Sequence, residues 1–425
     1  MKALTLADAL TRLDARIDWE KRDRSKGWRV DLDPVHDLVL RTGAPQRAYE
    51  ICHVAGSKGK GSVASLIGAA LARSGARVGV YGSPHVERMH ERIRIDGLPI
   101  DDDELARVLT LALDAVDEAQ REGTAGGRAS WFDIVTVAAL CAFRDAGVNW
   151  AVLEVGLGGR LDSTNVIDAP VAAIVTTIAL EHTAILGDTH AAIATEKAGI
   201  VKHGTTLVTG CDPESEAGRT LVQIAEERGV PIRFAHDPDD ATFEQANARV
   251  ARAALDVITG SHARIGAHLL DDEAIRLARL PGRMETFDCG GVAAVIDGAH
   301  VPESLERALA EATRDHAGPS AAVIAIHREK DPDALLAPLL RAGVTRLFAT
   351  TIPESGVHWS ETEVAAAASR LGIPVEVSEN PAEALRSALA WARAEPGPPA
   401  RWLLLTGSLY LAGAVRPLLR DASAG

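Results

Sequence analysis

The chain has 425 residues, of which 47% are hydrophobic and 24% charged, and a formal net charge of −14. That length predicts two domains. The acidic balance argues against general nucleic-acid binding, which needs a basic face, and no apolar run approaches the roughly 18–20 residues that cross a bilayer. The opening helical pattern carries Asp8, Asp14 and Asp18 and lacks a signal peptide's apolar core, so cytoplasm is expected. Apolar strands follow at 49–54, 77–81, 150–155, 171–178, 206–209 and 232–235. Helical stretches lie between them, among them 133–145, 191–201 and 214–228. The pattern resumes at 292–296, 321–326, 346–351, 375–377 and 402–405. This alternation predicts parallel sheets covered by helices on both faces. Leu280-Pro281-Gly282-Arg283 punctuates the series and separates a domain of residues 1–282 from one of 283–425. Cys52, Cys141, Cys211 and Cys289 are far apart and read as buried reduced thiols, not as a zinc site.

The glycine and polar clusters follow Val54, Tyr81, Val155 and Ile178, at strand ends, where open α/β sheets bind ligands. They predict one composite site. The first, His53-Val-Ala-Gly-Ser57-Lys58-Gly59-Lys60-Gly61-Ser62, has the parts of a phosphate cradle: strand end, glycines, lysine and helix start. It departs from the common P-loop, which would place a glycine at Val54 and a hydroxyl residue at Gly61. After the second strand comes Gly82-Ser83-Pro84-His85, whose hydroxyl could serve a metal but which by itself reads as ordinary turn chemistry. Glu154 ends the next strand beside a three-glycine loop with Arg160 and Asp162, and a buried carboxylate there asks for a metal or an arginine. His182 follows the strand after that, and Lys197 sits in an apolar helical segment, either snorkelling outward or held in the site with a shifted pKa.

Taken together, the motifs HVAGSKGKGS, VGVYGSPH, ERIRIDG, LEVGLGGRLDSTN, EHTAILGDT, EKAGIVK, LPGRME, DGAH and TGSLYL resemble the folylpolyglutamate synthase/dihydrofolate synthase family, a branch of the Mur-type ATP-dependent amide ligases. The resemblance runs from Tyr49 through Leu411. It implies a P-loop-containing parallel-sheet α/β ATPase domain, then a smaller Rossmann-like α/β domain. ATP, L-glutamate and a pterin or folate acid are the implied substrates, and Mg²⁺ the implied ion.

Residue by residue, the resemblance implies that Ser57, Lys58, Gly59, Lys60, Gly61 and Ser62 hold the ATP phosphates, and that Asn247, Arg283 and Asp297 contact the nucleotide. Ser83, Glu154 and His182 match magnesium positions; Lys197 matches a lysine that many relatives carry as a carbamate, which would bind a second ion. Lys60, His182 and Lys197 are the implied catalytic groups. The substrate acid is expected against the segment Val30-Asp31-Leu32 and against Trp131, Phe132 and Asp133, with Arg160 and Asp162 nearby and His300 in the region that holds glutamate. The chain departs from the commonest family spelling at Ser57-Lys58 (usually Thr-Asn), Gly82 (a hydroxyl residue), Glu181 (Asp), Asp133 (Glu) and Val301 (Asn). No nucleic-acid, membrane or protein partner is implied, and a monomer is the family expectation. Two other readings stay open: a diverged Mur-like ligase joining another acid and amino acid, and a nucleotide-binding regulator without catalysis.

Overall fold

The computed structural model describes residues 5–18, 31–238, 242–260, 262–317, 320–352, 357–394 and 400–424. It divides into two compact units, Met1–Arg279 and Leu280–Gly425.

The first unit contains β1 (Glu50–Ala55), β2 (Val78–Tyr81), β3 (Ile93–Ile95), β4 (Leu98–Pro99), β5 (Trp150–Glu154), β6 (Ala172–Val175), β7 (Thr206–Thr209) and β8 (Ile232–Phe234). They form one sheet in the order β4-β3-β2-β5-β1-β6-β7-β8. Six strands are parallel, while β3 and β4 turn back antiparallel at one edge. The expected all-parallel sheet is corrected there: Asp96-Gly97, both at positive φ, close a tight hairpin that needs no helical crossover.

Alternate residues of each strand face opposite layers. Ile51, Tyr81, Ala151 and Leu153 pack with helices Asp102–Glu122 and Trp131–Asp145. Cys52, Val54, Val80 and Val152 pack with helices Lys60–Arg73 and Phe243–Thr259. Burial on both faces explains why these strands read as continuous apolar runs. Helix starts are set by side-chain caps that an apolar pattern does not register: Ser130 begins the Trp131 helix two residues before the expected start, and Ser215 begins Glu216–Arg228 two residues after it. The expected helix at 191–201 divides into His190–Lys197 and a 3₁₀ turn, Ala198–Ile200.

From β1 the chain reaches β2 on one side, returns through β5, then crosses to β6 on the other. The carboxyl ends of β5, β1 and β6 therefore flank a topological switch point, where open sheets bind ligands.

The second unit contains β9 (Glu285–Asp288), β10 (Ala293–Ile296), β11 (Ser320–Ile324), β12 (Arg346–Thr350), β13 (Val375–Ser378) and β14 (Trp402–Thr406), in the order β13-β12-β11-β14-β10-β9. All pair in parallel except β9 with β10. Among the described residues, no helix is long and apolar enough to cross a membrane.

Candidate active site

The phosphate loop leaves β1 through Gly56 at φ +141° and Gly59 at φ +84°. A methyl at Gly56 would lie 1.9 Å from Thr176 Oγ1, and one at Gly59 would lie 2.2 Å from Asn247 Oδ1, so both positions require glycine. Residues after β6 brace the loop. Ser57 N–H donates to Thr177 O at 2.7 Å and Lys58 N–H to Thr177 Oγ1 at 3.2 Å. Thr176 Oγ1 donates to Lys58 O at 2.6 Å, and Ala179 N–H to Ser57 Oγ at 2.9 Å. The N–H groups of Ser57 and Lys58 are thus engaged within the protein. The anion-facing donors begin at the helix start: Gly59 is an N-cap without a side-chain cap, so Lys60, Gly61 and Ser62 present N–H groups with no intrahelical acceptor.

Three lysines gather behind that start. Lys60 Nζ donates to Gly56 O at 3.0 Å, and Lys197 Nζ donates to the same oxygen at 2.9 Å. Lys197 also meets Glu181 Oε1 at 3.1 Å, while Lys58 Nζ lies 3.7 Å from Glu181 Oε2. Lys197 is 2% exposed, so it is held in the site and does not snorkel. Burial and the Lys60 charge push its ammonium down to about 8 against the opposing pull of Glu181. For Glu181, burial alone would raise the carboxyl; Lys197, Lys60, Lys58 and His182 outweigh it and hold it near 2.

Glu154, buried at the end of β5, accepts from Ser83 N–H at 3.0 Å, and Arg94 supplies an electrostatic partner. Ser83 and Glu154 are therefore brought together. His182 is exposed at φ +49°, beside Glu181 at the β6 exit. Among the described residues, no three His, Cys, Asp or Glu side chains gather as a metal site. A hydroxyl, one carboxylate and one imidazole nonetheless suit a hard divalent ion held mainly by nucleotide phosphates, since Mg²⁺ usually takes one or two carboxylates plus phosphate oxygens.

The expected substrate residues divide by task. Asp133 is buried and engaged at both oxygens: it accepts from Ser130 N–H at 2.8 Å and from Ser163 Oγ at 2.5 Å. Asp162 is likewise buried, accepting from Leu157 N–H at 2.9 Å and from Thr164 N–H and Oγ1 at 3.0 and 2.5 Å. Burial raises both carboxyls against these hydrogen bonds. Trp131 is buried beneath the Arg92 guanidinium, 4.8 Å from its ring centroid, and Phe132 tilts on Tyr81 with centroids 6.1 Å apart. Arg160 is exposed and paired with Glu196 at 2.9 Å; Asp31 pairs with Arg128 at 2.8 Å, and Val30 lies outside the described residues.

In the second unit, Asp297 follows β10 and accepts from Met284 and Ala299 N–H at 3.1 and 2.9 Å. Its burial raises the carboxyl while Arg283 opposes the shift. His300 Nδ1 lies 2.9 Å from Gly298 O.

Sequence reasoning assigned no role to Thr176, Thr177, Arg94 or Thr164. The two threonines carried a usable signal, adjacent hydroxyls at a strand end. Arg94 and Thr164 lie inside recognisable motifs, but Glu154 and His53, which they meet, are distant in sequence.

The model of the Mur ligase, glutamate ligase domain, matches residues 282–409. The folylpolyglutamate synthase of Lacticaseibacillus casei is 30% identical over 90% of this chain and 92% of its own length. A probable bifunctional folylpolyglutamate synthase/dihydropteroate synthase of Haloferax volcanii is 36% identical over 64% of this chain, which spans only 35% of that longer protein. Among solved structures, Mycobacterium tuberculosis folylpolyglutamate synthase complexed with ADP superposes with a TM-score of 0.83 at 27% identity, covering 97% of this chain and 98% of that one. The Yersinia pestis bifunctional folylpolyglutamate synthase/dihydrofolate synthase with AMPPNP and Mn gives 0.77 at 26% identity, covering 98% of each.

Proposed function

We propose, because this chain belongs to the folylpolyglutamate synthase/dihydrofolate synthase family, that it joins L-glutamate to dihydropteroate, to tetrahydrofolate species, or to both. The reaction class is ATP-dependent amide ligation to glutamate. A carboxylate is a poor acyl donor, so its activation needs the γ-phosphoryl group of ATP; the glutamate amine then attacks the acyl phosphate, and phosphate leaves.

The single observation that carries this reading is the cluster of Lys58, Lys60 and Lys197 around the loop at Gly56, at the switch point where Glu154 also emerges. The N–H groups of Lys60, Gly61 and Ser62 bind phosphate oxygens, and the Lys60 ammonium leaves Gly56 O to follow the migrating group. Ser83, Glu154 and His182 would hold a divalent ion, Mg²⁺ or Mn²⁺, which supplies charge neutralisation to the phosphates when bound. Glu181 keeps Lys197 beside the loop. The depressed ammonium of Lys197 supports a carbamate there, since only the neutral amine takes up CO₂, and the Glu181 pair opposes it. Mass analysis of Lys197 under bicarbonate decides between the two forms. Asn247, packed on Gly59, is assigned to the nucleotide, as are Arg283 and Asp297; His300 is assigned to glutamate and the Trp131–Phe132 region to the acid. A monomer working in the cytoplasm completes the reading.

The test is phosphate release from ATP. Release that requires both dihydropteroate or tetrahydrofolate and glutamate supports the proposal; release with a different acid, or none, overturns it.

A further inference from the structure

The imidazole of His53 is fully buried in the middle of β1, yet it is not part of the phosphate loop that follows. Its Nε2 lies 2.8 Å from Thr164 Oγ1. Thr164 Oγ1 in turn lies 2.5 Å from Asp162 Oδ1, and Asp162 Oδ2 accepts the N–H of Leu157 at 2.9 Å. Counting protons orders the chain. Asp162 takes two N–H donors and the threonine hydroxyl, which suits its carboxylate form. The one hydroxyl proton of Thr164 is thereby committed, so His53 must donate through Nε2–H. Nδ1 is then a bare lone pair, and it has no hydrogen-bond partner. The other tautomer would bury an unpartnered N–H, which is the rarer and costlier arrangement.

The far end of this chain is the glycine loop after β5. A methyl at Gly159 would lie 2.7 Å from Lys197 O, and Arg160 N–H donates to Glu196 O at 2.9 Å. Asn165 Nδ2 donates to Arg160 O and to Gly199 O, at 3.0 and 3.3 Å. The loop is thus the seat of the helix end that carries Lys197. The loop after β1 takes the Lys197 bond at Gly56 O but is braced mainly by Thr176 and Thr177.

We propose that His53 is a positioning residue: through Thr164 and Asp162 it fixes the glycine loop that seats Lys197, and so sets the rate of the ligation step without governing ATP binding. This rests on the reading of Lys197 as part of the ligase site. Burial also holds the His53 imidazolium down near 3, so the ring stays neutral across the physiological range.

The test compares wild-type protein with Thr164→Val and Thr164→Ser. Thr164→Val should lower kcat at least about tenfold while KM for ATP stays within about twofold, and Thr164→Ser should recover kcat to within about threefold of wild type. The ¹⁵N-histidine spectrum of the wild-type chain should contain, besides the ring of buried His358, a ring in the Nε2–H form that does not titrate between about pH 5 and 8, and this second signal should change in Thr164→Val. Wild-type kcat in Thr164→Val overturns the proposal. So does a serine variant no better than valine at equal Tm, or an Nδ1–H ring at His53. If the wild-type chain shows no glutamate-dependent turnover, the ligase reading has failed, and the histidine spectrum still decides the relay.

Discussion

Lys60 and Lys197 donate to one and the same acceptor, the carbonyl oxygen of Gly56, at 3.0 and 2.9 Å. Two ammonium groups on one oxygen repel each other, and Glu181 offsets part of that by pairing with Lys197. The arrangement keeps positive charge concentrated at the loop proposed to take the phosphates.

Lys60→Ala should lower kcat/KM for ATP by about 10²–10³, the usual cost of removing one transition-state donor. Its side chain is only partly buried, so Tm should change by no more than a few degrees. Near-normal turnover in that variant would take the ammonium out of the mechanism.

Glu181→Gln should make Lys197 more reactive. Burial and Lys60 both depress the Lys197 ammonium, and Glu181 is the group opposing them. Without it, more of the amine is neutral at pH 7, so acetylation of Lys197, followed by peptide mass analysis, should speed up several-fold. In the wild type the stabilisation from the Glu181 carboxylate is present above about pH 4.5 and is lost as pH falls toward 2.

Glu154→Gln retains an acceptor for Ser83 N–H but loses the charge. Half-maximal activity should then require at least about tenfold more divalent cation, while far-UV circular dichroism stays unchanged. Chelation of the wild-type protein should abolish turnover, and re-addition of Mg²⁺ or Mn²⁺ should restore it.

Gly59→Ala introduces a methyl at φ +84° that meets Asn247 Oδ1 at 2.2 Å. The backbone strain alone costs about 1–3 kcal/mol. Thermal unfolding should show a lower Tm and a weaker stabilisation by ADP. Adding Asn247→Ala should recover only the part of the Tm loss that comes from the clash.

His358 in the second unit is buried against Ser408, with Nε2 2.8 Å from Oγ. Burial first, and His327 second, hold its imidazolium near 4. The folded state therefore resists a proton that the unfolded chain accepts below about pH 6.5, and stability falls as pH drops from there toward 4, by on the order of 3 kcal/mol in all. Urea unfolding of His358→Gln should lack that part of the acid limb.

Hydrophobic periodicity located β1, β5 and β7 to within a residue or two, because strands buried on both faces are continuous apolar runs. The tight loop after β1 was legible in the glycines at 56 and 59, since positive φ and close backbone approach are local demands written at single positions. Family membership was legible in the order of the short motifs. The β3–β4 hairpin was not, because its strands are too short to leave a periodic trace.

What only the tertiary structure decided is which polar groups meet. Lys197 lies 141 residues from Gly56, and His53 lies 111 from Thr164. Nothing local in either segment names its partner, so whether Lys197 snorkels or stays buried, and whether Asp133 and Asp162 face a ligand or brace a loop, depended on how β1, β5 and β6 are ordered in the sheet. Conformational preferences are written along the chain, whereas the pairing of buried charges is a property of the fold, because it is burial that makes each unpaired group costly.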